Sequence, residues 1–314
     1  EVPTFFGEFS VSDFPRDTLL RMMEKEPFDF EPGEAEIYNN TAFFILGLII
    51  EEVSGQSYEE YVEENLFSKA GMDNSYYCSN SLIVKDRAHG YAMGPEGMVR
   101  AAYLNHKWPY AAGSLCSTAE DLLKWNEALH GGKVLSDAMY QSLITPGVLN
   151  DGTELRYCKG INKFDYKGNL CISHGGGING FLSESRYFPE ENLTVVVLVN
   201  TTAPPPPGEI ANQISDKMLS IQESEPVAYG GDVTILSGRY EGPARGRPLT
   251  MFVEGKDGML LISGEEEGEQ DTLNFHGDYW GDGGIPRMTF LIKDGEAEEL
   301  RYDHIGGYYR LKKQ

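Results

Sequence analysis

Residues 171–180 read "CISHGGGING", so a histidine and three consecutive glycines follow a short apolar run. Glycine loses more backbone entropy on folding than any other residue, which makes a run of three costly to order. Such a run is typical of a place where another group must approach the backbone closely. We expect His174 to end a strand, and residues 175–177 to form a tight turn into the next strand.

From residue 156 onward the apolar residues recur with a period of two, which predicts strands. Four segments follow this pattern: residues 156–164, 169–174, 180–188 and 193–200. The connections between them are short and contain glycine, asparagine or proline, which favours hairpins. The sequence therefore predicts an antiparallel meander of four strands.

Helical patterns precede this meander. The segment "TAFFILGLIIEEVSG", residues 41–55, is apolar nearly all round and ends on a glycine, which predicts a buried central helix. Runs of helices followed by an antiparallel meander predict an α+β domain.

Several residues have the pattern of helix caps. Ser57 and Glu60 have the spacing of a capping box, and a second cap of this kind is expected near Ser117. Asp13 is expected to cap an earlier helix that holds Pro15 in its first turn.

The last part of the chain has a different character. Residues 232–314 contain short strand patterns and glycine-rich turns, which predict a small antiparallel barrel or sandwich. The polar segment 223–232 has the composition of a linker. We therefore expect an α+β domain over residues 1–225 and a small all-β domain over residues 226–314.

The formal net charge of −23 limits the partners that this chain can bind. An acidic surface repels phosphate backbones and anionic membranes, so binding to nucleic acid is not expected. The longest apolar stretch, residues 42–50, is too short to span a bilayer. The chain opens on Glu1, so we expect a processed or truncated polypeptide, and extracytoplasmic and cytoplasmic locations both remain open.

The four cysteines, Cys78, Cys116, Cys158 and Cys171, include no C-x-x-C pair, so a structural zinc site is not expected. A chain of this size does not require disulfides, and buried free thiols are the expectation. Two disulfides, in any of three connectivities, remain an alternative. The histidines other than His174 lack the spacing of metal ligands, so no metal site is predicted.

Two catalytic arrangements can be set aside. A His-Gly-Gly-Gly segment occurs in lipase-like α/β-hydrolases, where it accompanies a G-x-S-x-G elbow, but no such elbow occurs here. A cysteine–histidine pair of Cys171 and His174 is disfavoured, because residues three apart in a strand point to opposite faces.

Three separated segments carry a resemblance to a known family. They are "EPGEAEIYNNTAFFILGLIIEEVSGQSYEEYVEENLFSKAGM", "AAGSLCSTAEDLLKW" and "SHGGGINGF" with the "YFPEENLTVVVLVN" that follows it. Together they resemble the serine β-lactamase-like family, which includes class C β-lactamases, penicillin-binding carboxypeptidases, D-aminopeptidases and related esterases. The resemblance spans about residues 25–222. It implies an antiparallel sheet flanked by helices, and the last domain is similar to the small lipocalin-like barrel often appended to such enzymes.

The resemblance also implies roles for individual residues. The family's Y-x-N motif matches Tyr38 and Asn40, which implies a proton relay and a group that holds the substrate carbonyl. Its K-T-G or H-x-G motif matches His174 and the glycines after it, which implies a donor at the histidine. The N–H of Gly177 would then form half of an oxyanion hole. We expect Tyr38, Asn40 and His174 to converge on one groove, since positions two apart in an extended segment face the same way.

Four further positions complete the expected site. Gly175 and Gly176 would leave room for a substrate lying along the strand as an added strand. Tyr91 and Gly113 lie in segments that resemble walls of the family's cleft, and they would bind substrate. The resemblance implies no metal and no organic cofactor.

One motif of the family is missing. In that family S-x-x-K supplies the nucleophilic serine and its lysine base on one helix face, N-terminal to Y-x-N. No S-x-x-K occurs in these 314 residues.

Two hypotheses therefore stay open. In the first, the protein is a serine hydrolase that acts through an acyl-enzyme on a peptide, β-lactam or ester. Its serine and lysine then come from a segment absent from this chain, in a longer polypeptide or a separate chain. In the second, it is a nucleophile-less member that acts as a binding or scaffold protein.

Overall fold

The computed structural model describes residues 8–13, 15–79, 81–221, 226–245, 247–265, 268–281, 286–304 and 306–314. These residues divide into two compact units. The first unit comprises the described parts of Glu1–Glu26, Asn39–Pro146 and Arg156–Ile221, and the second those of Pro27–Tyr38, Gly147–Leu155 and Gln222–Gln314. The domain boundary predicted at 225/226 adjoins residues 222–225, which lie outside the described residues, so it stays a prediction.

The described residues form seven α-helices: α1 (Arg16–Met23), α2 (Asn40–Ser54), α3 (Tyr58–Val62), α4 (Ser68–Ala70), α5 (Ala119–His130), α6 (Asp137–Leu143) and α7 (Pro207–Leu219). A π-helical turn, Glu63–Phe67, joins α3 to α4, and 3-10 turns occur at Glu8–Val11, Tyr110–Ala112 and Val233–Leu236.

The strands of the first unit are β2 (Tyr76–Tyr77), β3 (Tyr91–Gly94), β4 (Gly97–Arg100), β5 (Leu115–Cys116), β6 (Asn162–Tyr166), β7 (Asn169–Ile178), β8 (Phe181–Phe188) and β9 (Leu193–Val199). Those of the second are β1 (Glu36–Ile37), β10 (Gly238–Gly242), β11 (Leu249–Lys256), β12 (Met259–Ser263), β13 (Asp271–Phe275), β14 (Trp280–Gly281), β15 (Arg287–Lys293), β16 (Glu296–His304) and β17 (Gly307–Lys313). The α+β fold class and the all-β C-terminal part are confirmed.

Helix α2 has the predicted end but not the predicted burial. Gly55 adopts a left-handed conformation (φ 71°) and stops the helix, as a C-terminal glycine should. Phe44 is buried and packs edge-on against the Tyr110 ring, with the ring centroids 5.1 Å apart. The opposite face is exposed, and we call it the α2 stripe. It consists of Ile45, Leu46, Ile49 and Val53, which are 39%, 51%, 51% and 82% exposed.

The prediction of a helix buried all round was therefore wrong. The apolar pattern identified the helix correctly, but only one of its two apolar faces has a partner among the described residues of the first unit.

Of the three predicted helix caps, one is confirmed and two need correction. The capping box of Ser57 and Glu60 is confirmed, with both reciprocal hydrogen bonds present. Helix α5 is capped by Thr118 rather than Ser117, because the Thr118 side chain accepts the N–H of Asp121. The N-cap position of α1 is occupied by Pro15 rather than Asp13, whose carboxylate pairs with Lys107 at 2.9 Å.

The four-stranded sheet has the order β6-β7-β8-β9, all antiparallel, as the meander predicted. The connection at the glycine run differs from the prediction. Residues 174–177 lie inside β7, which continues to Ile178, and the turn into β8 falls at Asn179 and Gly180. His174 therefore does not end the strand, because glycines can also continue an extended strand when the space beside them requires it.

Both faces of this sheet are covered by helices. On one face Cys171, Phe188 and Val197 pack with Ala211 of α7. On the other face Asn126 of α5 donates to the Ser185 hydroxyl at 2.9 Å, and His130 of α5 stacks on Tyr187. The sheet is therefore the middle layer of the first unit.

The cysteines disagree with the expectation of four free thiols. Cys78 and Cys116 form a disulfide that links the ends of β2 and β5, with their Cα atoms 5.4 Å apart. Cys158 and Cys171 are thiols rather than disulfide partners. Burial raises the pKa of the Cys171 thiol to about 12, so this thiol is an unreactive core residue.

In the second unit, β10–β17 form a closed barrel, because β17 pairs with both β16 and β10. Strand β1 joins β17 at the pairs Glu36↔Tyr308 and Ile37↔Gly307. The interior is filled by apolar side chains that are fully buried: Tyr240, Leu260, Leu300 and Leu311. The barrel is therefore a packed core.

A buried carboxylate on the outside of the barrel ties two other segments to it. Glu299, which is 5% exposed, accepts from Arg310 at 2.8 and 2.9 Å and from Arg301 at 3.0 Å. Arg301 also reaches Asp151 at 2.9 Å, and Arg310 reaches the Glu34 carbonyl at 3.3 Å. These bonds attach residues 27–38 and 147–155 to the barrel strands.

Among the residues that the structure describes, no helix combines the length and apolar character needed to cross a bilayer.

The two faces of α2 predict opposite responses to truncation. Phe44→Ala should lower the free energy of unfolding by about 3–5 kcal/mol, since a fully buried ring leaves a cavity. Val53→Ala should change it by less than about 0.5 kcal/mol, because Val53 is mostly exposed. Urea unfolding of both variants measures this, and a large loss in Val53→Ala would contradict the exposed face.

Burial also predicts how acid destabilises the protein. Burial lowers the pKa of His130 to about 4, against about 6.5 in an unfolded chain. The unfolded state then binds more protons between pH 6.5 and 4, so this residue's contribution to stability is complete above 6.5 and declines as the pH falls towards 4. His130→Gln should make the free energy of unfolding less dependent on pH across this window. Parallel pH curves for the variant and the unchanged protein would contradict the assignment.

Candidate active site

The candidate site lies where two neighbouring ladders of the sheet have different lengths. Strand β8 pairs with β7 from Ile172 to Ile178. Strand β6 pairs with β7 only as far as Ser173, which lies opposite Asn162. Among the described residues of the first unit, no strand therefore continues β6 alongside residues 174–178. We call this segment the open edge of β7.

The register fixes which backbone groups face the open edge. A two-residue turn is closed by a hydrogen-bonded pair, here Ile178 with Phe181, and bonded pairs then alternate along an antiparallel ladder. His174 and Gly176 thus bond to β8. The backbone N–H and C=O groups of Gly175 and Gly177 point away from β8, towards the open edge. An N–H in this orientation is what an oxyanion-binding donor requires.

His174 turns back onto this edge. Its Nδ1 lies 2.6 Å from the carbonyl oxygen of Gly175, and its Nε2 lies 3.3 Å from the hydroxyl of Tyr157. A carbonyl oxygen can only accept, so Nδ1 carries the proton and donates to Gly175. The half-buried ring therefore lies beside the backbone groups of the open edge.

The glycine run has a steric cause within the sheet itself. A Cβ at Gly175 would lie 2.9 Å from the Glu184 carboxylate, and one at Gly176 would lie 2.6 Å from the Ser183 hydroxyl. Both neighbours belong to β8 and were not singled out from the sequence. The expectation that these glycines make room only for substrate is therefore incomplete, since the adjacent strand also occupies that space.

Glu184 is held in place from the other side. Its carboxylate pairs with Arg186 at 2.9 Å, and both side chains are mostly buried. Arg186 also donates to the Asn212 side chain of α7 at 2.7 Å. Because a buried ion pair is costly to break, the side chain beneath Gly175 is fixed.

Tyr91 and Gly113, the two cleft-wall residues expected to bind substrate, differ in burial and in backbone contacts. Tyr91, at the start of β3, is half-buried, and its N–H and C=O bond to residues 200 and 202 after β9. Gly113 is exposed, and a Cβ there would meet only Pro109 at an ordinary 3.5 Å. Its neighbour Tyr110 is buried in the core of the first unit. Substrate binding by Tyr91 and Gly113 stays a prediction.

The β3–β4 hairpin is anchored at the end of β7. A Cβ at Gly180 would lie 2.7 Å from the Gly90 Cα, so these two backbones touch at the turn after Ile178. Asn179 donates to the Ala102 carbonyl at 3.2 Å. The segment around residue 90 is thus fixed against the tip of the β7–β8 hairpin.

The Y-x-N segment is not extended throughout. Tyr38 belongs to the second unit, where its N–H donates to the Gly306 carbonyl at 2.9 Å and Arg245 lies 5.1 Å from its ring centroid. Asn39 is the N-cap of α2, and Asn40 is that helix's first residue. Asn39 itself is extended (φ −139°, ψ 110°), so the arrangement in which Tyr38 and Asn40 face the same way stays a prediction. The convergence of Tyr38, Asn40 and His174 stays a prediction.

No group of three or more histidine, cysteine, aspartate or glutamate side chains within the described part of the chain is arranged to hold a metal ion.

The close approach of Gly176 to Ser183 of β8 can be tested by introducing a steric clash between them and then removing it. Gly176→Ala should lower the free energy of unfolding by about 1 kcal/mol, the low end of overpacking costs, because the serine hydroxyl can rotate. Adding Ser183→Ala should restore most of the loss. Urea unfolding of both single variants and the double variant measures this, and purely additive effects would contradict the contact.

Comparisons with known proteins agree with this architecture. The family model described as Beta-lactamase matches residues 3–217. A D-aminopeptidase of Gluconobacter oxydans is 27% identical over 171 residues, which cover 54% of this chain and 32% of that protein. A D-aminopeptidase of Brucella anthropi is 25% identical over 283 residues, covering 90% and 52%.

A solved structure, that of the octameric penicillin-binding protein homologue from Pyrococcus abyssi, is similar across 95% of this chain and 69% of its own. The TM-score is 0.59 and the identity is 25%. The chain spans about a third to a half of the length of the two curated D-aminopeptidases. Because the family model covers more than half of these residues, the chain belongs to the β-lactamase family.

Proposed function

We propose that this chain forms part of a serine hydrolase of the β-lactamase and penicillin-binding type, which cleaves an amide or ester through an acyl-enzyme. The observation that carries the proposal is the open edge of β7, towards which the N–H of Gly177 points. A substrate that lies along this edge gains backbone hydrogen bonds. Its scissile carbonyl oxygen would accept from the N–H of Gly177 as negative charge develops on it.

In the first step the serine oxygen attacks the carbonyl carbon. The C–N or C–O bond then breaks, and the serine's proton leaves with the amine or alcohol. Water next attacks the acyl group, releases the acid and returns the proton to serine. His174 would hold the edge beside the substrate. Tyr38 as proton relay and Asn40 as the carbonyl-holding group keep the roles that the resemblance implies.

The substrate class we favour is a peptide or amide that carries a D-amino acid. Both curated relatives described above are D-aminopeptidases, and the solved relative is a penicillin-binding protein homologue. Peptide, β-lactam and ester substrates all present a carbonyl that such an edge can bind.

The serine and lysine would come from a segment outside these 314 residues. The α2 stripe supports this, since four large apolar side chains at helical spacing lie exposed: Ile45, Leu46, Ile49 and Val53. Exposed apolar surface of this kind is typical of a place where another element packs. A helix that carries S-x-x-K would bury part of it.

The second candidate is a nucleophile-less member of the family that binds but does not acylate. It rests on the open edge of β7, whose backbone groups can bind an acyl compound without a serine nucleophile. Such a protein would keep the open edge and bind acyl compounds reversibly.

A fluorophosphonate or labelled penicillin distinguishes the two candidates. The reading frame upstream of residue 1 is first examined for S-x-x-K, and the extended polypeptide is then labelled. We expect one modified serine, within that motif. Absence of labelling in a verified full-length protein, or a reading frame without the motif, would support the binding protein instead.

The part played by Gly177 can be tested in the labelled protein. Gly177→Pro removes the edge-facing N–H and should slow acylation by about 10²–10³-fold, the usual loss for one oxyanion donor. Proline is tolerated where a strand N–H faces no partner strand. Gly177→Ala keeps the N–H and places its Cβ 3.2 Å from Leu182, so it serves as the matched control. Equal rates in the two variants would remove Gly177 from the oxyanion site.

A further inference from the structure

Tyr157 contacts the candidate site but has no role in the hydrolase proposal so far. It lies in a narrow loop that folds back on the first residue of β6. Tyr157 forms a bridge with Asn162, and the Cys158 N–H donates to the Ile161 carbonyl at 2.8 Å. Asn162 is in turn paired with Ser173 of β7. The loop therefore lies beside the first residue of β6, at the point where the open edge of β7 begins.

The Tyr157 side chain reaches the histidine of the edge. Its hydroxyl is 3.3 Å from Nε2 of His174, and the ring centroids are 5.9 Å apart at 58°. Both residues are half-buried. The histidine is therefore held at both nitrogens, by the Gly175 carbonyl at Nδ1 and by this phenol at Nε2.

The chemistry of the two contacts fixes where the protons lie. Because the Gly175 carbonyl only accepts, Nδ1 carries the hydrogen of the neutral ring, and Nε2 has a lone pair. The Tyr157 O–H can then donate to that lone pair. The state of one ring nitrogen is set by the hydrogen bond at the other, so the two contacts reinforce each other.

We propose that Tyr157 is a positioning residue that holds His174 as the Nδ1–H tautomer, turned towards the Gly175 carbonyl. The ring N–H then occupies the Gly175 carbonyl, so a substrate N–H lying along the open edge meets an acceptor that is already engaged, whereas the N–H of Gly177 takes no part in this contact. The consequence for substrate rests on the proposed hydrolase function, whereas the tautomer itself does not.

The tautomer can be read directly by ¹⁵N NMR of the histidine side chains, in a buffer alkaline enough to keep imidazole neutral. His174→Gln identifies the His174 signals by their loss. We expect Nδ1 to carry the hydrogen in the unchanged protein. In Tyr157→Phe the Nε2 signal should shift, and the Nδ1–H form should lose its dominance.

Tyr140→Phe is the matched control, since it removes the same hydroxyl from another histidine, His130, whose Nδ1 lies 2.7 Å from it. That variant should move the His130 signals and leave those of His174 unchanged. An Nε2–H tautomer in the unchanged protein, or His174 signals that do not respond to Tyr157→Phe, would overturn the proposal.

A kinetic measurement keeps this proposal separate from the hydrolase proposal. In a form of the protein that acylates, Tyr157→Phe should lower the acylation rate at an unchanged free energy of unfolding. Failure to acylate at all would count against the hydrolase and leave the NMR result intact. A changed tautomer with an unchanged acylation rate would show that Tyr157 does not act in the reaction.

Discussion

The start of β6 at Asn162, opposite Ser173 of β7, is the constraint on which the rest of the site depends. Up to Ser173 β7 has a strand on both sides, and beyond it β8 alone continues among the first-unit residues that the structure describes. A strand bonded on one side presents N–H and C=O groups that another extended chain can use. Here that chemistry is confined to five residues, of which three are glycines. A β6 that began a few residues earlier would pair with these residues and close the open edge.

Local sequence patterns predicted most of the elements of the first unit. Alternating apolar residues identified the four strands of the meander, although the first begins at Asn162 rather than at residue 156. The Ser57–Glu60 box and Gly55 marked helix ends correctly. These features depend on neighbours close in sequence, so they can be read without knowing the fold. The turn was misplaced because glycine marks close approach as well as chain reversal. The side chains that approach here, Ser183 and Glu184, come from the neighbouring strand.

What the sequence could not reveal were contacts between distant segments. The disulfide joins Cys78 to Cys116 across 38 positions, and no local spacing distinguishes it from the alternatives. Residues 27–38 and 147–155 join the barrel through arginines at 301 and 310, which have no local signature. Tyr157 was likewise missed as a neighbour of His174. Its segment was predicted as strand, but the loop that returns at Asn162 determines where its side chain points.

The register of β7 determines on which face of the sheet each side chain lies and towards which edge each backbone group points. Side chains alternate between the two faces of a strand, and backbone groups alternate between its two edges, both with a period of two. Odd-numbered residues direct their backbone groups towards β6 or, beyond it, the open edge, while Cys171 faces α7. Even-numbered residues direct their backbone groups towards β8. Their side chains, that of His174 among them, lie on the face of the sheet opposite to Cys171. A slip of one residue in the register would turn every side chain of β7 to the other face and every backbone group to the other edge. The turn at Lys167 and Gly168, both in left-handed conformations, therefore helps to fix which amides face the open edge.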